Sequence, residues 1–262
     1  MVIATPTPSQ IVLDHIDSDK YRDRPILAKY PGYEVCFLAF HPFLKIKSGH
    51  HDSIEFVPDK WPNKKEIIAH CDLLTWTSFL ELSGIPSYQR LSHTINFMHC
   101  AISIGNKDDF DKLLLFTAQA DKIICPTPDY FPQILEDKVL NFFKTKKYDT
   151  LYIYTDTSRE KEFKSLDSLL LGDRLPPQVR LQTTDNKILI ITDFDCCHSY
   201  FLGSLSDIKE IVDFIDLEGF YCNNQTPEHW SFYEVPSGKQ VGWEYWHYLF
   251  PKYTGFKSDG AE

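Results

Sequence analysis

The sequence predicts an α+β protein, with a mixed or antiparallel sheet in the C-terminal half and a helical lobe in the N-terminal half. Three observations carry that expectation. Between Asn63 and Lys146 apolar residues recur at three and four positions, the period of helices that bury one face. From Tyr148 the runs shorten and become rich in branched and aromatic residues, as strands are. No repeat, low-complexity tract or linker interrupts the 262 residues, so a single domain over 1–262 is expected, with a mainly helical sub-lobe at 24–147 and a sheet-rich one at 148–262.

Taken in order, Met1 to Asp23 is polar and punctuated by proline, and reads as a loosely attached arm. Tyr33 to Phe40, YEVCFLAF, reads as a strand stopped by His41-Pro42, and Leu44 to Pro62 as a loop carrying His50-His51-Asp52. Asn63 caps a helix, with Glu66 placed for a capping box. A second helix, Thr75 to Leu82, is closed by Gly84 and Pro86. After Ser87, Leu91, Ile95, Met98 and Ile102 fall on one helical face. Asp108 to Ala120 and Gln133 to Lys146 continue the helical pattern, broken by Cys125-Pro126-Thr127-Pro128. His70-Cys71 and His99-Cys100 lie on helices in this reading, and His93 lies off the stripe toward solvent.

Sheet then takes over. Leu151 to Tyr154 is a strand and Phe163 to Leu171 a short helix. Val179 to Thr184 and Lys187 to Phe194 flank Asp185-Asn186, two residues that tolerate positive φ, so a hairpin follows with Leu181 opposite Ile190. A third strand spans Ser199 to Leu202. Ser206 caps a helix with apolar Ile208, Ile211, Val212 and Ile215, and Gly219 releases the chain into Phe220 to Cys222. Trp230 to Phe256 is unusually aromatic and is expected to close over the sheet or to meet a partner.

The formal net charge of −10 argues against nucleic acid as the principal partner, because phosphate binding needs clustered Lys and Arg. A basic protein or a small molecule fits better. No segment reaches the ~18 apolar residues of a membrane span, and the first residues lack a secretory pattern, so a cytoplasmic location is expected. Seven cysteines without C-x-x-C spacing suit free thiols in a reducing compartment.

The densest chemistry lies in Asp193-Phe194-Asp195-Cys196-Cys197-His198. On an extended strand Asp193, Asp195 and Cys197 share a face, and His198 can join them if the strand ends at Asp195. Asp193, Asp195 and His198 are therefore the candidate ligands of a divalent or iron-type metal, with His50, His51 or His229 brought in by the fold. Asp195, Cys197 and His198 are the catalytic candidates. A thiol nucleophile at Cys196 or Cys197, with His198, His229 or His247 as base, is opposed by the two aspartates, which raise a thiol pKa. The plainer alternative is that the cluster stabilises a hairpin turn. No cofactor-binding motif is present.

His41-Pro42-Phe43, Trp61-Pro62 ahead of a helix, the Thr192 to Phe201 strand pair and Leu217-Glu218-Gly219-Phe220-Tyr221-Cys222 together resemble an uncharacterised family of soluble bacterial proteins with a domain of unknown function. The last motif also resembles the closing unit of small toxin-immunity proteins. Two functions are expected on these grounds. The first is an acidic protein-binding module of immunity or antitoxin type, and the second a metal-dependent enzyme acting on a small molecule around Asp193, Asp195 and His198.

Overall fold

The computed structural model describes residues 25–56, 61–117, 123–155, 158, 160–227, 238–242 and 245. The N-terminal arm, most of the aromatic tail, His229 and His247 lie outside them. The helices are α1 (Ile26–Lys29), α2 (Lys64–His70), α3 (Trp76–Ser83), α4 (Tyr88–Met98), α5 (Lys107–Thr117), α6 (Gln133–Thr145), α7 (Leu166–Leu171) and α8 (Leu205–Ile215). The strands are β1 (Val35–Phe40), β2 (Phe43–Ile46), β3 (Cys71–Leu74), β4 (Ile104–Asn106), β5 (Ile123–Ile124), β6 (Thr150–Thr155), β7 (Glu162–Ser165), β8 (Val179–Thr183), β9 (Leu189–Thr192), β10 (His198–Gly203), β11 (Gly219–Tyr221) and β12 (Gln240–Gly242).

Seven strands form one sheet in the order β11-β1-β10-β9-β8-β6-β7, every neighbouring pair antiparallel. The class is α+β, but the division into a helical N-terminal lobe and a sheet-rich C-terminal one does not hold. Strand β1, from the N-terminal part of the chain, lies between β10 and β11. β2, β3 and β5 build a second, three-stranded sheet, and β4 pairs with β12. The apolar pattern shows that a segment is a strand and is silent about which distant segment it will meet.

Alternation along the strands sorts the core into two layers. Phe37, Ala39, Leu151, Val179, Leu181, Ile190 and Phe201 face α6, α7 and α8, meeting Val139, Phe142, Leu166, Ile208 and Ile211. Cys36, Leu38, Phe40, Leu189, Ile191, Tyr200 and Leu202 face α3, α4 and α5, meeting Trp76, Phe79, Leu91, Ile95 and Leu113. Helices thus cover both faces of an antiparallel sheet. That explains why the central strands read as nearly continuous apolar runs, since neither of their faces meets water.

Local signals held where the chemistry is local. Asn63 and Glu66 form a reciprocal capping box on α2, and Gly84 takes the left-handed conformation that ends α3; the structure adds Thr75 as the cap of α3 and Ser87 as the cap of α4. The β8–β9 hairpin has the expected register, Leu181 opposite Ile190. Five expectations are corrected. Phe43–Ile46 is a strand rather than loop, because Pro42 interrupts the chain for only two residues. Glu162–Ser165 is an edge strand rather than helix, and α7 begins only at Leu166. Cys71 opens β3 instead of lying on a helix, and α8 is capped by Ser204, two residues before Ser206. His93 is buried, with Nε2 3.0 Å from the Ile104 carbonyl, because β4 folds back over α4.

Candidate functional site

The connection from β9 to β10 is a turn. Asp195 has φ 55°, in the left-handed region, which ends the extended backbone and breaks the face shared by Asp193, Asp195 and Cys197. Each group then finds its own partner. Asp193 is buried on the α3–α5 side of the sheet and accepts from Arg180 Nη2 of β8 at 3.3 Å. The Asp195 backbone N–H donates to Asp129 Oδ1 at 2.8 Å, tying the turn to the segment before α6. His198, buried at the start of β10, has Nε2 3.0 Å from the Tyr200 hydroxyl. Phe194 points outward and is 59% exposed.

The structure therefore buries Asp193 and His198 close to one sheet end, while Asp195 serves the turn. Among the described residues, no group of three or more His, Cys, Asp and Glu side chains is arranged as a metal centre. His50 and His51 are half-buried, with His50 Nδ1 2.8 Å from His70 Nδ1, a contact that needs one of the two rings neutral. Cys196 and Cys197 are buried. Burial is the main cause that pushes both thiols well up, with Asp193 and Asp195 adding to it at Cys196 and Cys196 and Cys125 adding to it at Cys197. The Cys197 thiol donates to the Pro126 carbonyl at 3.5 Å. These are groups held in the protonated thiol form, unsuited to nucleophilic attack.

Three features were not singled out as chemistry in the sequence. The first is His41. Its Nε2 lies 2.7 Å from Ser199 Oγ, which is 2.7 Å from Thr192 Oγ1, so a polar chain crosses the ends of β1, β10 and β9. Burial, and then the nearby His198, hold His41 well below the usual imidazole range, against a smaller opposing effect of the Thr127 backbone. It is a neutral ring. A cavity of about 40 Å³ opens beside it, bordered also by Trp61, Cys125 and Tyr130, with Arg174 stacked 3.8 Å over the Tyr130 ring. That volume suits one or two water molecules rather than a substrate.

The second is Glu218. Its carboxylate reaches across 142 positions to the first turn of α3, where Oε2 accepts from the Trp76 N–H and Oε1 from the Thr77 N–H. A negative charge on a helix N-terminus satisfies orphan donors and favours the helix dipole. The motif around Glu218 was visible, but nothing local could reveal a partner in α3.

The third is a groove of about 190 Å³ between α8 and the edge strand β11. Its floor and walls are largely apolar, from Phe37, Leu205, Val212, Leu217 and Tyr221, with Asp213 and Lys209 at the rim. The Phe40 N–H donates to the Glu218 carbonyl at 2.8 Å and the Cys222 N–H to the Cys36 carbonyl at 2.8 Å. By alternation, residues 218, 220 and 222 bond to β1, and the main-chain groups of Gly219 and Tyr221 point the other way. Those outward groups have no hydrogen-bond partner among the described residues.

No curated protein and no solved structure matches this chain. No described helix is long and apolar enough to cross a membrane. The match that exists spans residues 22–232, and so takes in the whole seven-stranded sheet, the β9–β10 turn, His41, Glu218 and the α8–β11 groove. By that match the chain belongs to the family described as Protein of unknown function (DUF2711).

Proposed function

We propose that this chain is an acidic protein-binding module of immunity or antitoxin type, and that it receives a basic, partly apolar segment of its partner along the outer edge of β11 against α8. The groove carries this reading. An unpaired strand edge offers main-chain donors and acceptors to an extended segment, and the adjoining apolar trough gives its alternate side chains somewhere to lie. Asp213 and Lys209 give the rim one charge of each sign, and the net charge of −10 over the whole chain favours a cationic partner and speeds its encounter. Leu205, 49% exposed on the groove side of α8, would be covered by such a partner.

The test is capture from native lysate at low and high salt, with the contact mapped by cross-linking. A partner that cross-links to α8 or β11 and is lost from both Asp213→Lys and Leu205→Asp supports the reading. No partner at low salt, or one indifferent to both substitutions, overturns it.

A second reading, a metal-dependent enzyme acting on a small molecule, draws support from the joint burial of Asp193 and His198, each at most 6% exposed at the ends of neighbouring strands. Stoichiometric metal in untagged protein, lost in the Asp195→Ala, His198→Ala double variant, would favour it. Protein that binds no divalent or iron-type metal on titration would end it.

A further inference from the structure

Cys36 and Cys222 form a facing pair. Phe37 is opposite Tyr221 in the β1–β11 register, which places Cys36 opposite Cys222 one step along, and the Cys222 N–H closes that step on the Cys36 carbonyl at 2.8 Å. Both side chains enter the same layer of the core, beside Tyr200 and Phe220. Opposed residues in a hydrogen-bonded antiparallel pair have Cα atoms ~5.5 Å apart, inside the range that a disulfide spans without backbone movement. Among the seven cysteines this is the pair that strand register itself brings face to face.

We infer that Cys36 and Cys222 are a reversible thiol–disulfide site, oxidised by small disulfides of the glutathione class. Cys222 is the accessible member at 9% exposed, at the end of the edge strand, whereas Cys36 is fully buried. The Cys222 thiolate attacks one sulfur of oxidised glutathione and expels a glutathione thiolate. Cys36 then gives its proton to solvent, and its sulfur displaces the second glutathione from Cys222. Two protein thiols are oxidised, and one glutathione disulfide is reduced to two glutathione thiols. Burial, with the neighbouring Cys222 thiol, pushes the Cys36 thiol well up, which suits it to the second, intramolecular step and not to the first. The consequence is a covalent tie between an edge strand and its neighbour.

The experiment incubates the full chain with oxidised glutathione and maps every cysteine by alkylation and mass spectrometry. Exposed Cys100 serves as the internal control for reagent activity. A peptide joining Cys36 to Cys222 is expected, together with a Tm raised by several degrees and restored by dithiothreitol. In Cys36→Ser the reaction is expected to stop at a glutathione adduct on Cys222. The proposal is overturned by a stable adduct on Cys222 in the unmodified sequence. It is equally overturned by a bond from either residue to another cysteine, or by two free thiols once Cys100 has reacted. No partner protein is present in this assay, so its outcome is independent of the docking reading.

Discussion

Glu218 is the side chain whose loss should be felt farthest from its own position. Its carboxylate accepts from two amides in the first turn of α3 at 2.5 and 2.7 Å, and also from the Thr77 hydroxyl. Thr77 in turn lies 2.7 Å from the Tyr88 hydroxyl of α4, so one carboxylate fixes the entry of α3 and its contact with α4. Hydrogen bonds to a charged acceptor contribute ~1.5–3 kcal/mol each, and a charge at a helix N-terminus a further ~0.3–1 kcal/mol. The site is partly buried, so water recovers some of the loss on truncation. Glu218→Gln, which keeps one acceptor oxygen and removes the charge, should cost about 1–2 kcal/mol, and Glu218→Ala about 3 kcal/mol. Urea denaturation reads both as a lowered midpoint with unchanged slope. If Gln and Ala are equal, and both within ~0.5 kcal/mol of the parent, water substitutes fully for the carboxylate and the proposed tie between sheet edge and helix is wrong.

Other consequences are equally direct. A Cβ at Gly219 would stand 1.9 Å from the Leu38 carbonyl oxygen, a backbone atom that cannot swing away, so Gly219→Ala should destabilise by roughly 2 kcal/mol or more and loosen β11, read by amide exchange at Phe220. Burial pushes the Glu136 carboxyl up to about 7, against the Leu175 N–H at 2.9 Å and Lys64 Nζ at 3.7 Å. The folded chain keeps that proton where the unfolded one has released it, so stability falls as pH rises from about 4.5 to about 7, by at most roughly 3 kcal/mol. Glu136→Gln should flatten that slope, and a slope of opposite sign in the parent, absent from the variant, would refute the assignment. Asp193→Ala removes the carboxylate facing Arg180, and a cost of about 2–4 kcal/mol is expected on chemical denaturation. A cost below ~0.5 kcal/mol would show that Arg180 finds equivalent solvation elsewhere.

What the sequence made legible follows the range of the physics involved. Asn63 with Glu66, and Gly84, act within one helical turn and were readable from their neighbours. Leu181 opposite Ile190 was readable because a short turn fixes register. Ser206 reads as the cap beside the apolar stripe, and only the fold shows Ser204 in that place, accepting from the Asp207 N–H at 3.1 Å. For the Asp193 to His198 cluster the turn was the plainer alternative, and the ligand geometry assumed an extended backbone that Asp195 breaks. Arg180 carried a faint signal, a cation on the alternate face of Val179 and Leu181, but its acid is supplied by another strand. Glu218 and the paired Cys36 and Cys222 depend on contacts between segments more than 140 positions apart, which local pattern does not encode.

The place of β1 has a bearing on how the molecule is made. Val35–Phe40 leaves the ribosome well before both of its neighbours, β10 and β11, which are synthesised some 160 or more positions later. Until Gly219–Tyr221 emerges, a ribbon with VCFLAF at its heart must wait with its apolar flanks unsealed, exposed to collapse or to chaperone capture. Nascent chains halted before His198 should accordingly remain protease-sensitive, and resistance should appear in a single step once β11 has cleared the exit tunnel.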